Sequence, residues 1–120
     1  MDTIPFTDFE KVDIRIGTVV KADVPGWSHW VIKLQVDLGK EIGKRTIFTG
    51  MLNFYKPEEF EGKQFLFIVN LKPKKIGPEG DFSEGMMMAA TVPAKTGKEE
   101  NETPILLSPI KKVPNGTKVR

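Results

Sequence analysis

Lys72, Lys74 and Lys75 stand close together in the stretch Asn70–Met86, and no acidic residue interrupts them before Glu79. An ammonium group is a compact positive charge, so three of them without an acid suit a phosphate-bearing partner. The plain alternative is a solvated turn that keeps an edge soluble. The same stretch carries Asn70 and Ser83. Their amide and hydroxyl groups can meet a base edge or a ribose 2′-hydroxyl, or they can pin the loop's own backbone. Met86 closes the stretch with an adaptable thioether, which can lie against a base or fill a core rim. Of three consecutive methionines, Met86 and Met88 share one strand face and Met87 takes the other. Trp27 and Trp30 can each stack on a base, worth ~1–3 kcal/mol, or pack inside or at a dimer contact. One packed and one partly exposed tryptophan is expected.

Other chemistries lack their residues. The absence of cysteine removes disulfides, thiolate metal sites and cysteine nucleophiles. The one histidine, His29, is expected at the surface without a chemical role. Glu58 and Glu59 follow Pro57, where they offset a helix N-terminus rather than act as paired acids. The run Glu99, Glu100 and Glu102 reads as a solvated loop. No Gly-rich phosphate cradle opens a helix. A protein that is not an enzyme, and that needs no cofactor or metal, is therefore expected. The formal net charge is +2, so any pull on nucleic acid must come from where charges sit. No apolar run approaches the ~18 residues of a membrane span. The start, Met1 to Phe6, has no basic region leading into an apolar core, so a cytoplasmic protein without membrane attachment is expected.

The elements that must position these groups are short strands. Asp13–Val24 alternates, with Ile14, Ile16, Thr18, Val20 and Ala22 on one face, and Gly17 marks an expected bulge or sharp bend. Val31–Leu38 alternates again, a loop follows at 40–43, and Arg45–Met51 makes a third strand. Tyr55–Phe60 reads as a helical turn with Pro57 at its first position. Gln64–Leu71 and Gly85–Val92 are the fourth and fifth strands, with Asn70–Met86 as the loop that joins them. Near the start, Thr7 or Asp8 is expected to cap a turn over Phe9–Val12, with Phe6, Phe9 and Val12 plugging one barrel end. Residues 94–103 read as a polar hairpin tip, Ile105–Leu107 as a short strand, and Val113–Val119 as a turn with a final extended piece. The sum is one all-β domain: a five-stranded, partly open Greek-key barrel, the OB-fold, with short helical turns. The barrel is expected over 6–92 and a C-terminal β extension over 93–120. Ile105–Leu107, Ile110 and Val113 exceed what a barrel needs, and a two-fold partner would bury them, the alternative being that the tail folds back on its own barrel.

Three blocks, Asp8–Gly17, Asn70–Lys75 and Ser83–Met86, resemble in order and spacing the tRNA-binding OB-domain family, across about Phe6 to Lys118. That family includes free-standing tRNA-binding proteins, a C-terminal domain of methionyl-tRNA synthetases and a secretion-chaperone-like subgroup. The resemblance implies a non-catalytic module that grips tRNA by shape, as a homodimer or as a synthetase accessory. It implies tRNA contacts at Asn70, Pro73, Lys74, Ser83 and Met86, with Arg15 and Arg45 as supporting basic positions. Lys74 stands where the family often has arginine, which keeps the charge and loses the bidentate fork. The loop after strand one, Gly26–Trp30, also departs from the family's pattern. The alternative use of the same face is to hold unfolded or export-bound peptide.

Overall fold

The protein is described by a computed structural model that covers residues 1–93 and 102–120. The strands are β1 (Ile14–Asp23), β2 (Ile32–Asp37), β3 (Lys44–Thr49), β4 (Gln64–Ile68), β5 (Lys74–Ile76), β6 (Asp81–Ser83), β7 (Met86–Met87), β8 (Ala89–Val92), β9 (Thr103–Leu106) and β10 (Lys118–Val119). Short helical turns occur at α1 (Phe6–Phe9), α2 (Gly39–Ile42) and a 3-10 turn, Pro57–Glu59. One antiparallel sheet runs β3-β2-β1-β4-β7, and β10 adds to β1. The amide of Glu84 donates to Thr46 O at 2.8 Å, which brings the approach to β7 onto the free edge of β3. The five-stranded sheet thus nearly closes into an OB-fold barrel.

The barrel is filled by Val19, Leu34, Val36, Ile47, Phe65 and Phe67. Phe60, fully buried after the 3-10 turn, stacks edge-on to Tyr55 and tilted against Phe65, each at 5.8 Å. The expected helical turn with Pro57 at its start is therefore present, and it delivers a core aromatic. The expected plug is not. Phe6, Phe9 and Val12 remain 68%, 37% and 41% exposed. Pro5 rather than Thr7 or Asp8 stands at the N-cap of α1, with no side-chain cap.

The bulge in β1 sits at Val20, not at Gly17. Val19 pairs with Val36 and Lys21 with Gln35, which leaves Val20 without a partner and exposed. The inward face therefore shifts, and Val19 and Ala22 are both buried. Gly17 stays in register opposite Phe65. A Cβ there would come within 2.7 Å of Val36 and Leu38 side chains, so the glycine makes room for β2.

Three other expectations change. Residues 40–43 belong largely to α2 rather than to a loop. The expected fifth strand divides: β7 pairs with β4, while β8 leaves the barrel and pairs with β9. Met88 N still donates to Leu66 O at 2.9 Å where they part. The stretch Asn70–Met86 is no plain loop, since it folds into the hairpin β5–β6. Of the expected polar tip at 94–103 and the acidic run within it, residues 94–101 lie outside the described residues, and Thr103 opens β9.

The tail docks on its own barrel. Gln64 Nε2 donates to Val113 O at 2.6 Å and to Asn115 Oδ1 at 3.0 Å, and Val113 N donates back to Gln64 Oε1 at 3.1 Å. Thr18 Oγ1 donates to Asn115 Oδ1 at 2.7 Å. Val113 is thus committed within the chain, while Ile105 and Ile110 stay exposed.

Arg15 ties these parts together. It is 4% exposed, and its guanidinium donates to Asp13 at 2.7 and 3.2 Å, to Glu41 at 3.1 Å and to Gly116 O at 3.1 Å. The hydrogen bond from Arg15 holds the Asp13 carboxyl below the usual carboxylate range, against a smaller desolvation effect. The same guanidinium lowers Glu41, and the two acids raise Arg15 further above its ordinary value. The folded chain therefore holds fewer protons on these acids than the unfolded chain does. Their contribution is complete above the unfolded values of about 4 and is lost as pH falls through the lower folded values. Thermal melts from pH 7 to pH 2 should show Asp13→Asn less stable at pH 7 and with a shallower loss below pH 4. Parallel curves for the two proteins would contradict the coupling.

Candidate nucleic-acid interface

The site is built on the hairpin β5–β6. Asn70 fixes its entry: Oδ1 accepts from Asp13 N at 2.9 Å, and Nδ2 donates to Lys11 O at 2.6 Å. Ser83 fixes its exit. The Ser83 hydroxyl is buried, accepts from Phe48 N at 3.0 Å and donates to Gly85 O at 3.0 Å. Glu84 Oε1 then accepts from Thr46 N at 3.1 Å. Gly85 follows at φ 150°, where a Cβ would meet Ile68 O at 2.8 Å, so no larger residue fits this crossing. The hairpin tip is braced from below. Trp27 lies against Gly77, where a Cβ would stand 2.4 Å from the ring, and against Phe48 with ring centroids 6.2 Å apart.

The braced hairpin projects Lys72, Lys74 and Lys75 into solvent, with Pro73 between them. None of the three ammonium groups pairs with a carboxylate among the described residues. Beneath the hairpin lies the outer face of β2 and β3, which carries Lys33, Gln35 and Thr46. A groove of about 580 Å³ runs between them, lined by Lys33, Thr46, Pro73, Asp81, Phe82 and Glu84. A second groove, about 340 Å³, adjoins it and is lined by Arg45, Asn70, Leu71, Lys72, Pro73 and Glu84. The strand 2–3 face and the loops beside it are where OB-folds take up oligonucleotides.

The structure gathers Arg45, Asn70, Lys72 and Pro73 on one groove, and Lys74 and Lys75 beside it on β5. Arg45 is half engaged, donating through one terminal nitrogen to Val69 O and Glu84 O. Arg15 and Ser83 are buried and their polar atoms are consumed inside the fold, which for Ser83 is the backbone-pinning alternative. Asn70 is exposed at its edge, yet both ends of its amide are already bonded. Met86 is exposed but lines a different groove with Phe54, Met88 and Pro104, away from the lysines. Trp27 is mostly packed and Trp30 is 56% exposed, as expected. Lys33, Thr46 and Phe82 were absent from the sequence reading. Phe82 alone carried a signal, as an aromatic between Asp81 and Ser83 in a polar stretch.

The fold is an OB-fold with a braced cationic hairpin over its open strand 2–3 face. The chain belongs to the tRNA-binding domain family, whose profile, described as "Putative tRNA binding domain", matches residues 14–118. It is 43% identical over 118 residues to a methionine–tRNA ligase of Archaeoglobus fulgidus, covering 98% of this chain and 16% of the ligase. What matches is the small non-catalytic tRNA-binding domain of such synthetases, not a catalytic module. The chain spans a minor part of the length of the curated relatives it matches. Among solved structures, a MetRS-related protein from Pyrococcus horikoshii superposes with a TM-score of 0.84 at 37% identity, with 100% of both chains covered. The chaperone CsaA of Bacillus anthracis superposes with a TM-score of 0.81 at 30% identity, over 99% of this chain and 100% of that one.

If Ser83 is a pin, Ser83→Ala leaves the buried Phe48 N–H without an acceptor and costs about 1–3 kcal/mol. Met86→Ala, at an exposed position, should stay within about 0.5 kcal/mol. Urea unfolding of the two variants checks this, and equal midpoints would contradict the assignment.

Proposed function

We propose that this chain binds tRNA without acting on it chemically, holding the folded RNA by its phosphates along the β5–β6 hairpin. The observation that carries this reading is the set of ammonium groups at Lys72, Lys74 and Lys75, without a carboxylate partner among the described residues, on a rigid hairpin beside two grooves. Arg45 adds a partly engaged charge at the groove's inner end. The family membership supports tRNA as the polymer. A fixed shape with few base-reading groups suits recognition of RNA form over sequence. The domain acts in the cytoplasm, in trans or as an accessory to an aminoacyl-tRNA synthetase.

A second reading has its own observation. The groove lined by Met51, Phe54, Met86, Met88, Ala89 and Pro104, about 440 Å³, is rich in methionine and apolar surface. It suits an extended apolar peptide, and the likeness to a chaperone fits that use. The two readings separate by salt: phosphate contacts weaken as salt rises, and apolar contacts do not.

Titration of tRNA across a salt series should show strong salt dependence. Replacing all three lysines by glutamate should lower the slope of log K against log salt by about two to three. Lys74→Glu alone should weaken binding measurably at low salt. Unchanged affinity in both variants would remove the tRNA reading. Holdase activity persisting at high salt, without tRNA binding, would select the peptide reading.

We further propose that two copies pair through the exposed Ile105 and Ile110. Sedimentation at micromolar concentration should give a dimer, shifted toward monomer by Ile105→Asp with Ile110→Asp. A monomer in the unsubstituted protein would end this part of the proposal.

A further inference from the structure

The groove beneath the hairpin has a composition that phosphate binding leaves unused. Its lining brings the Lys33 ammonium together with the carboxylates of Asp81 and Glu84. Two acids against one base make a poor seat for a phosphate. One Glu84 oxygen is already occupied by Thr46 N–H. Lys33 Nζ and Asp81 Oδ2 stand 3.8 Å apart, too far for a hydrogen bond, so both retain capacity for a ligand. Their side chains are 30% and 39% exposed, open to the groove and yet shielded. Phe82, 52% exposed, and Pro73 form apolar walls. The Phe82 wall does not depend on a flexible loop, because Trp27 supports Gly77 and Ser83 anchors the strand end.

Resting on the RNA-binding reading above, we propose that this groove takes one unpaired guanine of the bound RNA, stacked on Phe82 and read by Asp81 and Lys33. Guanine presents two donors on its pairing edge, N1–H and the N2 amino group, beside one acceptor, O6. The Asp81 carboxylate accepts from both donors, and the Lys33 ammonium donates to O6. Adenine, cytosine and uracil each present a single donor site on that edge and leave one carboxylate oxygen unmet. The adjoining groove, with Arg45 and Lys72, shares Pro73 and Glu84 with this one. Phosphates flanking the guanine therefore run toward the cationic side, while the base enters the mixed-charge side.

The test uses the full chain and four hexaribonucleotides: oligouridine, and the same strand with one central adenosine, cytidine or guanosine. Binding is followed by fluorescence anisotropy and by amide shifts, beside a tRNA titration. The guanosine strand should bind about tenfold tighter than the others. Phe82→Ala should lose about tenfold for that strand and for tRNA, with the salt slope unchanged. Asp81→Asn should erase the preference for guanosine. Equal affinity for all four strands, or unchanged binding by Phe82→Ala, overturns the guanine site even if Lys74→Glu still weakens tRNA binding. Guanosine strand binding without tRNA binding retains the site and removes the tRNA reading. Failure to bind either removes both. Guanosine 5′-monophosphate alone should bind more weakly than the strand; equal affinity would assign the groove to a free nucleotide and overturn the RNA proposal.

Discussion

An open sheet of five strands leaves the edge of β3 unpaired, and this chain meets that edge with side chains as well as backbone. Ser83 takes the Phe48 amide, the Glu84 carboxylate takes the Thr46 amide, and the Glu84 amide returns to Thr46 O. Backbone groups left without partners at a buried edge would each cost about 1–3 kcal/mol. Satisfying them in this way has a second effect. It fixes where β6 ends, so the hairpin β5–β6 is held over the β2–β3 face. The grooves beneath it, and the direction its lysines point, follow from that one seam.

Charge is divided by the same architecture. Arg15 is turned inward and surrounded by Asp13, Glu41 and the carbonyl of Gly116, so the molecule gains cohesion from it. A buried guanidinium needs such partners to offset its desolvation. Lys72, Lys74 and Lys75 are turned outward. With a net charge of only +2, the attraction for an anion is set by this local separation of roles rather than by the whole-molecule field.

Period two describes β2 and β4 residue by residue, whereas in β1 it holds only up to the bulge, where Val20 turns outward and Val19 and Ala22 both face in. The bulge was misplaced at Gly17 because glycine has two uses in a strand: bending it, and letting another strand come close. Only the packing of Val36 and Leu38 decides between them. The hairpin β5–β6 was hidden because each arm is three residues long, too short for alternation to register. Asn70, Lys72, Pro73 and Lys74 were legible as a group from their spacing and family resemblance. Whether a polar group points outward or is spent inside the fold was not, as the burial of Arg15 and Ser83 shows. Lys33 and Thr46 come from distant strands, and pairing across β2–β3 rather than sequence proximity joins them to the hairpin.

Both ends of the chain leave the barrel at one rim. Asn70 holds Lys11 and Asp13, and β10 lies along Ile14 and Arg15. Asn70 also borders the cationic groove. Any polypeptide tethered to either terminus would therefore start beside the cationic groove. A short tether would hold its cargo at about millimolar effective concentration around any ligand of that groove, and lengthening it would dilute that advantage steadily. The single rim thus lets one attachment point at either end serve as a delivery arm.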